Sequence, residues 1–129
     1  MIPIYGSMKR PENPQEGLEV LAAELIPWKG GDIEIIFESN EFTSVCPKTG
    51  QPDFNRIKIE YVPDKFYIES KVMKFYLWSF REFGIHCEYL ANDVAEGLFE
   101  AVKPKKIKVT VFQNVRGGIS LTASRVIMQ

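Results

Sequence analysis

At 129 residues, 45% hydrophobic and 26% charged, the chain has the composition of one ordinary globular domain, which excludes disordered and fibrous classes. With 16 Lys and Arg against 17 Asp and Glu, the net charge of −1 gives no global attraction for nucleic acid or an anionic membrane, so any anion site is a local cluster. No apolar run approaches the ~20 residues of a bilayer span, and Met1-Ile2-Pro3-Ile4-Tyr5-Gly6 lacks the basic region and apolar core of a secretory signal. The expectation is a cytoplasmic, reducing location with Cys46 and Cys87 as thiols.

Residues 1–31 carry Pro3, Pro11, Pro14, Pro27 and the pair Gly30-Gly31. They predict an irregular contact arm around one short ordered piece near Leu18 to Leu25, ahead of a catalytic domain over 32–129. From Asp32 the periodicity changes. Ile33, Ile35 and Phe37 alternate with Glu34 and Glu38, and Ile57, Ile59 and Tyr61 alternate with Lys58 and Glu60, which reads as two strands with one apolar face.

The connection between these strands, Phe42 to Asp53, sets a thiol, Cys46, and a carboxylate, Asp53, seven positions apart in a turn. Pro47 and Pro52 fix φ, Gly50 permits a positive φ, and Thr49 can bond nearby backbone groups. Lys48 and turn amides aimed at the sulfur favour the thiolate, which is the nucleophilic form. Asp53 is placed to donate or shuttle a proton to the atom that Cys46 attacks. The alternative is a surface turn with an incidental cysteine and a turn-forming aspartate.

Between Glu69 and Val102 the pattern is helical and breaks near Gly84. The first predicted helix buries Val72, Tyr76, Phe80 and Phe83, and the second buries Cys87, Ala91, Val94, Leu98 and Ala101. Pro104 ends the pair. Alternation resumes with Ile107, Val109 and Val111, and again with Ile119, Leu121 and Ala123. The order ββααββ suggests an α+β fold, an antiparallel sheet with two helices on one face. Its open edges call for closure by pairing between chains, so a ring-shaped homo-oligomer with sites between subunits is expected.

Several charged residues have two readings. Lys71 and Lys74 lie on one side of the first helix near its N-terminus, where cations oppose the dipole; they either grip phosphate or form a solvated face. Arg116, before Gly117-Gly118, either clamps phosphate or flanks a hairpin. Glu88 offers two acceptors to the paired donors of a guanine-type edge, or simply favours a helix start. Cys87 also fits the apolar stripe. A zinc site from Cys46, His86 and Cys87 is disfavoured, because His86 and Cys87 are adjacent on a helix and Cys46 has no closely spaced ligand partner. A protease-like arrangement fares no better with His86 as the one histidine.

Taken together, Phe42 to Phe54, Glu69-Ser70-Lys71-Val72-Met73-Lys74-Phe75-Tyr76-Leu77, Ser79-Phe80-Arg81, Glu88 and Arg116-Gly117-Gly118-Ile119 resemble the nitrile reductases of queuosine biosynthesis. These are the NADPH-dependent 7-cyano-7-deazaguanine reductases, which act on the precursor of a modified tRNA nucleoside. The resemblance implies a tunnelling fold of the single-module type, ββααββ per subunit, closing into barrels by oligomerisation. By position it implies that Cys46 attacks the nitrile carbon to give a covalent thioimide, that Asp53 protonates the nitrogen, and that NADPH delivers two successive hydrides. Glu88 would hold the deazaguanine edge, with Ser70, Glu69, His86 and Cys87 on the substrate side. Lys71, Lys74, Arg116 and Gly117 would face NADPH. Neither a membrane nor direct binding of nucleic acid is implied.

One departure stands out. The family usually reads Phe-His-Glu where this chain has His86-Cys87-Glu88. An unperturbed thiol titrates near ~8.5 against ~6.5 for imidazole, so Cys87 does not simply replace a histidine in proton transfer. His86 could rotate in, or Cys87 could pair reversibly with Cys46. Two other functions fit parts of the pattern: a thioimide-forming amidinotransferase of archaeosine synthesis, and a non-catalytic deazapurine or pterin binder that keeps Glu88.

Overall fold

The computed structural model describes residues 9–129, so the part of the expected arm over 1–8 lies outside the described residues. The chain continues into a helix, α1 (Pro14–Ala23). Asn13 caps it by accepting from the Glu16 amide at 2.8 Å, and Pro14 occupies the first turn, where no N–H is needed. Leu21 is fully buried in the core. The predicted ordered piece is thus a helix that starts earlier than Leu18 and belongs to the packed interior.

A short strand β1 (Ile26–Pro27) pairs antiparallel with β4 (Phe66–Tyr67). The main sheet contains β2 (Ile35–Val45), β3 (Pro52–Val62), β5 (Lys106–Arg116) and β6 (Ile119–Met128). Its order is β2-β3-β5-β6, antiparallel throughout. The helices α2 (Ser70–Trp78) and α3 (Cys87–Val102) connect the two hairpins. The expected ββααββ arrangement is therefore present, extended by α1 and the small β1–β4 ladder.

Alternation puts Phe42, Ile57, Ile59, Tyr61, Ile107, Val109 and Val111 on the helix-covered face, where they form one core with Val72, Met73, Tyr76, Leu90, Val94 and Leu98. Two stripe positions differ from expectation. Phe83 is 38% exposed, because α2 ends at Trp78 and its 3.6-residue period does not extend that far; Met73 is buried in the helix instead. Ala101 is only half-buried, while Val102 is buried. Lys103 then takes a left-handed conformation with φ of 53°, and Pro104 prevents further helix.

β2 and β6 are the edge strands of the sheet within one chain. The hairpin joining β2 to β3 and the entry to α3 meet at the same end of the sheet, and this end carries the candidate chemistry.

Candidate active site

Val45 closes β2 with hydrogen bonds on both sides. It is opposite Pro52 on β3, while its N–H donates to the Phe83 carbonyl at 3.1 Å and its carbonyl accepts from the Ile85 amide at 3.1 Å. Residues 83–85 thereby add a short parallel bridge to β2 and pin the approach to α3 beside the hairpin. The approach is close: a Cβ at Gly84 would be in van der Waals contact with Pro47, 3.4 Å from its Cα.

Cys46 begins the loop itself. Its N–H donates to the Gln51 carbonyl at 2.9 Å, and its carbonyl accepts from the Gly50 amide at 2.8 Å, with Gly50 at φ of 72°. This is one helical turn in miniature, with Cys46 as the cap and Pro47 as the first turn residue. The Thr49 hydroxyl and the amides of Thr49 and Lys48 bond the sulfur and lower its pKa below the ordinary thiol value. Partial desolvation and the Asp53 carboxylate oppose that shift. The thiol is partly exposed, as a nucleophile must be.

Asp53 lies not in the turn but on β3, directly across from Ser44. It is 4% exposed, and Nη1 of Arg116 donates to its Oδ1. Arg116 can reach it because Gly117 and Gly118, at φ of 58° and 79°, form a two-residue hairpin turn that sets Arg116 opposite Ile119 at the end of the sheet. Arg116, expected on the cofactor side, is thus engaged with the carboxylate beneath the cysteine loop.

The three residues at the α3 entry separate. His86 is the exposed N-cap residue and makes no side-chain cap. Cys87 is buried, with Sγ 3.8 Å from the Val111 carbonyl. Burial pushes its thiol up to about 11; the charges of Glu88 and Asp53 add to this, and the Gln113 amide offsets part of it. Cys87 is therefore a protonated core thiol at neutral pH, the packing role read as its alternative. Glu88 is exposed on the first turn of α3.

The remaining predicted residues gather at α2. Glu69 is its N-cap, accepting from the amides of Lys71 at 2.8 Å and Val72 at 3.2 Å and from the Ser70 hydroxyl at 3.4 Å. This carboxylate offsets the unfavourable placement of Lys71 and Lys74 near the positive end of the helix. Ser70, Lys71 and Lys74 line a groove of about 840 Å³ between α2 and β2, together with Thr43, Trp78 and Arg81. Thr43, near the end of β2, is three residues before Cys46 in sequence. A second cavity of about 560 Å³, between α3 and β6, is lined by Glu96, Glu100, Arg125 and others and contains none of the predicted residues. No cluster of metal-ligating side chains occurs among the described residues.

A family model described as QueF-like protein matches residues 52–127, which includes Asp53, both helices α2 and α3, and Arg116. The chain belongs to the QueF-like family. It is 41% identical over 109 residues to a protein of Thermomicrobium roseum, covering 84% of this chain and 83% of that one. To a protein of Nitrosococcus oceani it is 40% identical over 114 residues, covering 88% and 86%. A protein of Syntrophus aciditrophicus is 48% identical over 91 residues, 70% of this chain and 65% of its own length. Each is named an NADPH-dependent 7-cyano-7-deazaguanine reductase. The crystal structure of an archaeosine synthase, QueF-Like, in the apo form superimposes with a TM-score of 0.65 at 25% identity, covering 77% of this chain and 95% of that one.

Within this QueF-like fold, two groove residues were not assigned a role from sequence. Trp78 and Arg81 continue the Lys71–Lys74 side of α2 at steps of four and three, the spacing that places residues on one helix side. The signal was present in the periodicity, although Arg81 lies just beyond the last helical turn.

Proposed function

We propose that this chain reduces the nitrile of 7-cyano-7-deazaguanine to the aminomethyl product, using NADPH, through a covalent thioimide on Cys46. The observation that carries the reading is the cysteine loop: a partly exposed thiol, made acidic by Thr49 and two turn amides, above a buried carboxylate. The names of the relatives supply the substrate and cofactor.

In this mechanism the Cys46 sulfur bonds to the nitrile carbon as one C–N π bond opens. The proton lost from the thiol passes through Asp53 to the nitrile nitrogen, so Asp53 acts as a shuttle and finishes the step as the carboxylate that Arg116 already holds. Glu88 accepts the paired donors of the deazaguanine edge, as its exposed place on the first α3 turn permits. The α2 groove suits NADPH by its chemistry, with Lys71, Lys74 and Arg81 offering cations to phosphates and Trp78, 39% exposed, offering a ring face. NADPH, when bound, would supply the hydrides that convert thioimide to imine and imine to amine, with a proton from solvent completing the amine. Cys46 leaves as the thiolate between the two reductions, stabilised by the same loop donors. Pairing of β2 and β6 edges between copies would close the barrel and bring the loop, groove and Glu88 of neighbouring subunits together.

Intact mass after incubation with 7-cyano-7-deazaguanine, with and without NADPH, tests this reading. An adduct on Cys46 alone, discharged by NADPH with loss of its absorbance, is expected. An adduct that persists with NADPH present but is discharged by ammonia would instead favour the archaeosine-type transfer suggested by the structural neighbour. Binding without any adduct would leave the non-catalytic reading.

A further inference from the structure

Three of the buried polar side chains share the hairpin end of the sheet: Ser44, Asp53 and Asn55, at 0%, 4% and 1% exposure. Ser44 is directly across the ladder from Asp53, and Asn55 follows two positions along the same strand. All three therefore point to the helix-covered face, Asn55 diagonal to Ser44. Nδ2 of Asn55 donates to the Ser44 Oγ at 3.3 Å. Its other amide end, Oδ1, is the one buried side-chain polar atom without a hydrogen-bond partner among the described residues.

A sealed carbonyl that accepts nothing costs about 1–3 kcal/mol, a cost that an apolar side chain of the same size would remove. Asn55 nevertheless stands here, beside the carboxylate to which the mechanism assigns the proton. Alternate positions on a strand are about 7 Å apart at Cα. That span suits one water with a hydrogen bond to each side chain.

We propose that Asn55 is a positioning residue for Asp53: its Oδ1 and Ser44 seat an internal water that also hydrogen-bonds the Asp53 carboxylate. The carboxylate is then held from two directions, by Arg116 on Oδ1 and by the water on its other oxygen, which fixes its plane beneath Cys46. The water gives one hydrogen to Asn55 Oδ1 and the other to the carboxylate, and it keeps a lone pair for the Ser44 hydroxyl. Water suits the site because the Asn55 carbonyl, the Ser44 hydroxyl and the Asp53 carboxylate, all buried on one face of the sheet, offer it three polar partners.

The kinetic part of this inference rests on the proposed role of Asp53; the structural part does not. A high-resolution crystal structure of the full chain is expected to show an ordered water bonded to both Asn55 Oδ1 and Asp53. Direct contact between the Asn55 amide and Asp53, or no water in that position, overturns the proposal. Asn55→Leu is expected to lose stability, because the buried Ser44 hydroxyl and the Asp53 carboxylate each lose a partner, and to form the Cys46 adduct at least tenfold more slowly, with nitrile affinity in a Cys46→Ala background unchanged. Asn55→Ser, which keeps an oxygen for the water, should recover most of the rate and covers the case in which leucine fails to fold. A wild-type rate in Asn55→Leu sinks the positioning role. If the wild-type chain forms no adduct at all, the reductase reading fails, and the water is judged by the crystal structure alone.

Discussion

Arg116 donates to the Oδ1 of Asp53 across 63 positions of sequence, joining the last residue of β5 to the second residue of β3. The carboxylate is 5% exposed and the guanidinium 49%. Removing Arg116 leaves a buried charge without its partner, so Arg116→Ala should destabilise the chain by about 1–3 kcal/mol, less than a fully buried pair because half the guanidinium is in water. Arg116→Lys should fall between, since it keeps charge but loses the planar fork. Urea denaturation of both variants checks this, with Asp53→Asn completing a double-mutant cycle. No coupling energy, together with a raised KM for NADPH, would return Arg116 to the cofactor.

The two thiols should differ sharply in pH dependence. Only the thiolate reacts, so alkylation fades as pH falls through each pKa. Cys46, held below the ordinary thiol value, should keep reacting at pH values where a free thiol is largely silent. Cys87, pushed up to about 11 and buried, should stay unmodified at neutral pH. Thr49→Val removes the largest lowering contribution and should move the Cys46 curve to higher pH. Iodoacetamide labelling read by intact mass across pH measures both, and an unshifted curve in Thr49→Val would show that the loop amides alone acidify the sulfur.

Local chemistry explains which parts of this arrangement were legible. The cysteine loop announces itself through Pro47 and Gly50, whose φ preferences act within a few residues, and the strands and helices follow from alternation and 3.6-residue spacing. The helix α1 was obscured by its neighbouring prolines, although Asn13, Pro14 and Glu16 are a cap, a first-turn proline and a third-position acid. The Arg116–Asp53 pair depends on how far one hairpin turn carries its side chain over another strand, which no short-range pattern encodes. Asn55 was hidden for a related reason. It occupies an inward position of β3 that alternation reserves for apolar residues, and its unpaired carbonyl exists only once Ser44 is across from Asp53.

α1 offers a direct check on whether the N-terminal segment is part of the fold. A Cβ on Gly17 would lie 2.9 Å from the Ser79 Oγ, 3.0 Å from its Cβ and 3.4 Å from the Tyr76 Cα. The helices cannot separate locally, because Leu21 anchors α1 in the core and the Ser79 hydroxyl is bonded to the Tyr76 carbonyl. Gly17→Ala should therefore lower stability by about 1–3 kcal/mol, the usual cost of overpacking, despite the better helix propensity of alanine. A rise in Tm would show instead that α1 is a loosely attached arm.

The α2 groove predicts a separation between chemistry and cofactor binding. Lys71 and Lys74 are exposed on the groove wall, whereas the cysteine loop takes its electrostatics from Thr49, Lys48 and Asp53. Charged hydrogen bonds to phosphate contribute about 1.5–3 kcal/mol each when formed in a protected site, and less on an open one. The double variant Lys71→Ala/Lys74→Ala should accordingly raise the KM for NADPH by about tenfold or more, a loss of at least ~1.4 kcal/mol. The rate and extent of Cys46 adduct formation with the nitrile should be unaffected. The wild-type KM should also rise with salt, and that dependence should weaken in the double variant, because screening acts on the same exposed charges. If adduct formation falls in parallel with cofactor affinity, the lysines hold the substrate or the folded loop, and the groove must be reassigned from the cofactor to the nitrile.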